Sequence, residues 1–161
     1  YRQKLCDYSA DREHTLCGRR APDINMPDTS FTNRVQLHGI DKAATILVFW
    51  DIDCMHCKME FPHLSKIYDT LTVNREELEI YAIYIKKDYE AWKNFVAKNK
   101  YNFINVANVL EDDNYNEKYK IHATPQIFVL DRDKNIVYKD INVSDIPKVL
   151  NHLVNQEKGE E

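Results

Sequence analysis

The sequence has no apolar run close to the roughly 20 residues that a membrane-spanning helix needs. Its apolar stretches, such as residues 46–50, are only as long as a strand. It also has no basic stripe, because acidic and basic residues are interspersed and the formal net charge is −4. Nucleic acid and anionic lipid are therefore not favoured as partners, and a small molecule or another protein is expected instead.

Repeats and low-complexity segments are absent too, and 161 residues fit one domain that buries roughly two-thirds of its unfolded surface. Residues 1–20 are polar and unpatterned, which is typical of an N-terminal arm or linker. The predicted domain spans residues 21–157, and residues 158–161 form a polar tail. Since the chain begins with Tyr1 and not with methionine, a targeting segment or an upstream domain is expected before it.

Hydrophobic periodicity predicts alternating strands and helices. Residues 45–50 form a continuous run of apolar, β-branched and aromatic residues, as expected of a strand buried on both faces. Beyond them, apolar residues recur at intervals of four, three, four and three, which is a helical pattern; they are Cys57, Phe61, Leu64, Tyr68 and Leu71. Cys54 is thereby predicted at the turn between strand and helix, with Cys57 on the apolar side of the helix.

The C-terminal half continues the alternation. Residues 78–85 form a second strand, and Asp88 is a suitable N-cap for a second helix. Residues 126–130 and 135–139 flank a polar turn, as in an antiparallel hairpin, and Ser144 can cap a last helix. The order βαβα followed by ββα indicates an α/β domain with a mixed sheet.

Residues 54–57 have the sequence Cys-Met-His-Cys, and their two thiols are the groups in the chain most expected to react. A cysteine at a helix N-terminus has its thiolate stabilised by backbone N–H groups and the helix dipole, so we expect a lowered pKa at Cys54. Cys57 follows one helical turn later, where it can attack a mixed disulfide formed at Cys54. His56 would favour the thiolate and the two preceding aspartates would oppose it, which leaves the direction of electron flow open.

Two other interpretations of these cysteines stay open. They can be small buried residues of the core, or they can bind zinc or copper together with a histidine such as His56 or His63. Structural zinc commonly takes two ligand pairs, and the sequence has no second Cys-x-x-Cys. Covalent haem is excluded, because Lys58 stands where the required histidine would follow the second cysteine.

Three segments are similar to one known family: residues 46–50 (ILVFW), 54–62 (CMHCKMEFP) and 121–131 (IHATPQIFVLD). They resemble the thioredoxin superfamily, and more closely the TlpA/ResA-type thiol-disulfide oxidoreductases of bacterial envelopes. The resemblance implies a thioredoxin fold, with helices on both faces of a central mixed sheet and an N-terminal extension. It also implies an enzyme that exchanges disulfides with protein substrates through its own dithiol, without a bound cofactor or metal.

The resemblance further implies roles for individual residues. Cys54 corresponds to the exposed nucleophile and Cys57 to the buried resolving thiol. Glu60 and His56 are the residues expected to move protons. Pro62, eight residues after Cys54, matches a proline that kinks the family's first helix. The expected substrate-binding residues are Trp50, Met55, Thr124 and Pro125. Pro125 corresponds to the family's cis-proline, and Trp50 also fits a packing role.

Residues near the dithiol give conflicting indications of whether the enzyme reduces or oxidises its substrates. A histidine before the resolving cysteine is similar to disulfide oxidases and isomerases, whereas Glu60 is similar to the acid of the TlpA/ResA-type reductases. A reductase is predicted, with an oxidase or isomerase as the alternative. The family implies a role in cell redox homeostasis in the bacterial periplasm or envelope, together with a redox partner protein. Membrane attachment would require an anchor upstream of Tyr1.

The other two cysteines, Cys6 and Cys17, are predicted to lie outside the fold. They can pair with each other, remain free, join another chain or act as a second relay pair. An exported location is compatible with their pairing, since disulfides persist in oxidising compartments.

Overall fold

Residues 4–5, 17–72 and 77–159 are the part of the chain that the computed structural model describes. They form eight strands, which are β1 (Lys4–Leu5), β2 (Asn25–Pro27), β3 (Arg34–Gln36), β4 (Ala44–Trp50), β5 (Leu78–Tyr84), β6 (Ile104–Ala107), β7 (Gln126–Leu130) and β8 (Ile136–Lys139). The same residues form four α-helices, which are α1 (Met55–Thr72), α2 (Tyr89–Asn99), α3 (Tyr115–Tyr119) and α4 (Ile146–Glu157).

Six strands make one mixed sheet in the order β1-β8-β7-β4-β5-β6. Strand β4 lies at its centre, parallel to β5 and antiparallel to β7. Strand β6 continues the parallel half, and β8 and β1 continue the antiparallel half. Strands β2 and β3 form a separate hairpin. The predicted mixed sheet and the predicted β7–β8 hairpin are confirmed.

Every residue of β4 is buried, as its run of apolar, β-branched and aromatic residues predicts. Because side chains alternate across a strand, Ile46 and Val48 pack on one face with apolar residues of α1, α2 and α4. Leu47 and Phe49 pack on the other face with residues that include Tyr119 of α3. Helices therefore cover both faces of the sheet, and the thioredoxin-like arrangement is confirmed.

Helix caps give one confirmation and one correction. The side chain of Asp88 accepts a hydrogen bond from the Ala91 backbone N–H at the start of α2, as predicted. Ser144 does not cap α4, because a 3-10 turn covers Val143–Asp145 and the helix begins at Ile146. Pro147 lies in the first turn of α4, where a fixed φ and a missing N–H are tolerated, and this favours the later start.

The prediction that Cys17 lies outside the fold is wrong. Its side chain is 1% exposed and packs in the core on the α3 face of the sheet. The backbone N–H of Gly18 donates to Ile136 of β8, so the sheet edge holds this segment by main-chain pairing. Cys17 is disulfide-bonded, and Cys6 lies outside the described residues. The domain boundary at residue 20 stays a prediction.

Candidate active site

The turn between β4 and α1 positions the first cysteine. The Asp51 carbonyl accepts from the Cys54 backbone N–H at 3.2 Å, and the Asp51 carboxylate accepts from the Asp53 N–H at 3.1 Å. The Cys54 carbonyl then accepts from Lys58, which is the first hydrogen bond of the helical ladder. Cys54 is thus the residue immediately before the helix, as predicted.

The Cys54 sulfur contacts both its own helix and a distant loop. Its Sγ accepts from the Cys57 backbone N–H at 3.2 Å, and it lies 3.5 Å from the carbonyl oxygen of Thr124. The peptide bond between Thr124 and Pro125 is cis, as the family resemblance implies. Cys54 is half-buried and Cys57 is buried, and both are free thiols. The structure therefore brings the dithiol and the cis-proline loop together.

The two thiols differ in pKa. Burial alone raises the pKa of Cys54, but hydrogen bonds with Cys57, the Thr124 side chain and the His56 backbone outweigh it and lower the pKa from 9.0. Burial, followed by the hydrogen bond with Cys54, raises the pKa of Cys57 to about 12. Since the thiolate is the reactive form of a cysteine, Cys54 is the more reactive of the two thiols near neutral pH.

This difference predicts the pH dependence of alkylation. In protein with both thiols reduced, iodoacetamide should modify Cys54 with a midpoint below pH 9.0, because a lowered pKa retains the thiolate at lower pH. Cys57 should stay unmodified at pH 7, where a pKa of about 12 leaves about one thiolate in a hundred thousand. Peptide mapping by mass spectrometry checks this, and equal labelling of both cysteines at pH 7 would contradict it.

Glu60 and His56 form a pair beside the dithiol. They lie at positions i and i+4 on α1, with His56 Nε2 3.8 Å from Glu60 Oε1. The Glu60 side chain is 33% exposed and the His56 side chain 65%. Both line the same surface groove as Pro125. The structure therefore places the two predicted proton-moving residues together, next to the predicted peptide-binding loop.

Trp50 cannot contact a substrate. Its side chain is 1% exposed, and its ring stacks on that of Phe61 with the centroids 4.2 Å apart. The prediction of Trp50 as a substrate-binding residue is wrong, and the packing role that the sequence also suggested is the correct one. Trp50 faces α1 because it occupies an even position of β4, like Ile46 and Val48.

The outer face of α1 contains a residue that sequence reasoning missed. Met55 and Met59 are 71% and 62% exposed, although methionine is an apolar residue. They lie four residues apart, so they form one ridge next to Cys54. The recurrence of methionine at this spacing directly after the first cysteine is a signal that would have identified Met59.

The AhpC/TSA family matches residues 17–139, which is more than half of the chain. The chain belongs to the AhpC/TSA family. It is similar to the thiol-disulfide oxidoreductase ResA of Bacillus subtilis, with 26% identity over 128 residues that make up 80% of this chain and 69% of ResA.

Solved structures show the same relationship for this AhpC/TSA protein. A domain of a possible thiol-disulfide isomerase from Cytophaga hutchinsonii is 29% identical, with a TM-score of 0.81 over 92% of this chain and 100% of that one. The thioredoxin domain of a thiol-disulfide oxidoreductase from Bacteroides vulgatus is 26% identical, with a TM-score of 0.76 over 87% and 99% of the two chains. The predicted enzyme class, a thioredoxin-like thiol-disulfide oxidoreductase, is confirmed.

Two further findings concern metals and membranes. The described part of this AhpC/TSA protein contains no group of three or more His, Cys, Asp or Glu side chains arranged to hold a metal ion. The metal-binding interpretation of Cys54, Cys57 and a histidine therefore has no support from the geometry. None of the helices within the described ranges has the length and hydropathy that crossing a membrane requires.

Proposed function

We propose that the protein reduces disulfides in protein substrates, and the observation that carries the proposal is the pairing of a half-buried, low-pKa Cys54 with a buried, high-pKa Cys57. The Cys54 thiolate attacks a substrate disulfide, forms a mixed disulfide and expels one substrate thiolate. Cys57 then attacks Cys54 and expels the second. The substrate gains two electrons, the enzyme is left with a Cys54–Cys57 disulfide, and no bound cofactor is needed.

The second step requires a base. With a pKa of about 12, Cys57 is protonated at neutral pH and must lose its proton before it attacks. Glu60 lies one helical turn after Cys57, and His56 Nε2 lies 3.8 Å from Glu60 Oε1. We assign the removal of this proton to Glu60, with His56 connecting it to solvent.

The orientation of His56 supports the reducing direction. A cation next to the Cys54 thiolate would stabilise the reduced enzyme and make its disulfide oxidising. Here hydrogen bonds with Cys57 and Thr124, and a smaller one with the His56 backbone, lower the pKa of Cys54, while the imidazole Nε2 lies 3.8 Å from Glu60 Oε1. The histidine that is similar to those of disulfide oxidases therefore does not act on the thiolate in this arrangement.

The equilibrium redox potential of the Cys54–Cys57 pair tests the direction. We expect a value close to that of thioredoxin, about −270 mV, measured against glutathione or dithiothreitol buffers. As a matched comparison, His56→Ala should change the potential little, because the imidazole does not stabilise the thiolate. A potential near about −120 mV would assign the protein to the oxidases and overturn the reducing role.

Substrate contacts and location complete the proposal. The backbone of the cis-proline loop, formed by Thr124 and Pro125, holds the substrate peptide, and the exposed Met55 and Met59 supply an adaptable apolar contact. We place the protein in the bacterial periplasm or cell envelope, where it contributes to redox homeostasis. The disulfide at Cys17 is consistent with an oxidising compartment. A separate redox protein must reduce the dithiol after each turnover.

A further inference from the structure

A groove of about 580 Å³ leads away from the dithiol between α1 and the connection from β8 to α4. Pro125 lines the groove at the end near Cys54. Its apolar lining comes from Ile67, Ile127, Ile141 and Val143. A volume of this size is typical of sites that take a ligand or several side chains of a partner.

The groove runs along the helix. His56, Glu60, His63 and Ile67 line it at intervals of four, three and four residues, which places them on one face of α1. Lys66 lines its far end, twelve residues after Cys54, or about 18 Å at 1.5 Å per residue. An extended peptide covers that distance in about five residues.

The far end of the groove has a positive charge without a partner. Lys66 makes no ion pair or hydrogen bond within residues 17–72 and 77–159. Two of the three polar residues of the facing wall, Asn142 and Ser144, are neutral. Arg132, by contrast, is a basic residue with partners, because it contacts the carboxylates of three different residues. The carboxylate on this face of α1, Glu60, lies at the near end beside His56.

We propose that this groove binds the substrate segment next to the target cysteine and selects an acidic side chain about five residues from it, through Lys66 and the imidazole of His63. The proposal rests on the disulfide exchange proposed above and adds a substrate class to it. The substrates are proteins with an aspartate or glutamate at that spacing and apolar residues between. Glu60 lies beside His56, and the backbone N–H of Asp140 donates to Ile127, two residues after Pro125, so both carboxylates disfavour an acid closer to the cysteine.

A trapping experiment tests the proposal. The Cys57→Ala protein is mixed with peptides whose single cysteine is activated as a disulfide with 5-thio-2-nitrobenzoate. Attack by Cys54 joins the peptide to the enzyme and releases one coloured thiolate, so the rate is read from absorbance. One peptide has glutamate five residues before and five residues after the cysteine, which makes the result independent of chain direction, and its matched control has glutamine at both places.

We expect the glutamate peptide to react about fivefold faster than the glutamine peptide at low salt, a contrast typical of a favourable exposed charge pair. Lys66→Glu should remove or reverse this ratio, and added salt should reduce it. Lys58→Glu is the control, because Lys58 is exposed on the same helix, closer to Cys54 and outside the groove.

The outcomes separate the two proposals. Selection of an acidic side chain by the groove would be overturned by equal rates for the two peptides in the Cys57→Ala protein. An equal loss of the ratio in the Lys58→Glu and Lys66→Glu variants would overturn it too. Both results would leave disulfide exchange intact. Failure of Cys54 to react with either peptide would overturn disulfide exchange itself.

Discussion

Replacing Cys54 by serine should lower dithiothreitol-dependent insulin reduction by at least about a thousandfold, to the rate of the reductant alone. A serine hydroxyl is not ionised near neutral pH and cannot form a mixed disulfide with the substrate. The measurement is the turbidity of the precipitating insulin B chain. Since Cys54 is only half-buried and precedes α1, the variant should melt within a few degrees of the native protein, and this is the control for folding.

Replacing Cys57 by alanine should produce a different loss. Cys54 still has the backbone N–H of residue 57 as a hydrogen-bond donor, so the first attack proceeds and the substrate stays attached to the enzyme. Non-reducing electrophoresis should show a covalent complex that dithiothreitol releases. If the Cys54→Ser variant retained insulin reduction, or if the Cys57→Ala variant formed no complex, the assignment of nucleophile and resolving thiol would be wrong.

Local features of the sequence predicted much of the fold and the part of the site that lies on the β4–α1 turn. Residues 45–50 are apolar, β-branched or aromatic without interruption, and strand β4 begins only one residue earlier. The helical spacing from Cys57 onward predicted α1, and Cys54 precedes it as expected. These predictions succeed because each depends on a few neighbouring residues and on burial against a sheet that any sequence of this pattern must form.

The features that sequence reasoning missed depend on distant parts of the chain. The carbonyl of Thr124 lies 3.5 Å from the Cys54 sulfur across 70 residues, and only the family resemblance suggested that these segments meet. Cys17 is in the core because its segment pairs with Ile136 of β8, beyond the residues of β8 that pair with β1, and this pairing depends on the sheet and not on residues 1–20. In the sequence, Lys66 is an ordinary lysine of a helix surface. Only the fold shows that it lines a groove whose other wall is the β8–α4 connection.

The site therefore depends on how firmly α1 is held against the sheet, and Trp50 is one of the buried residues that pack against α1. It is the last residue of β4, and its ring stacks on Phe61, which lies one helical turn after Cys57. Replacing Trp50 by alanine would leave a cavity under the start of α1. We expect the free energy of unfolding, measured by urea denaturation, to fall by about 3–5 kcal/mol.

Trp50→Phe is the matched control. The indole Nε1 is buried and finds no hydrogen-bond partner within the described part of the chain, so phenylalanine removes an unsatisfied polar atom while it keeps a ring against Phe61. The cost should stay below about 1.5 kcal/mol, with insulin reduction retained. If Trp50 instead acted on substrate, both variants would raise the KM for insulin and leave the free energy of unfolding unchanged. Its burial beneath the dithiol predicts the reverse: the alanine variant should lose stability first, and lose activity because Cys54 is no longer held against Thr124.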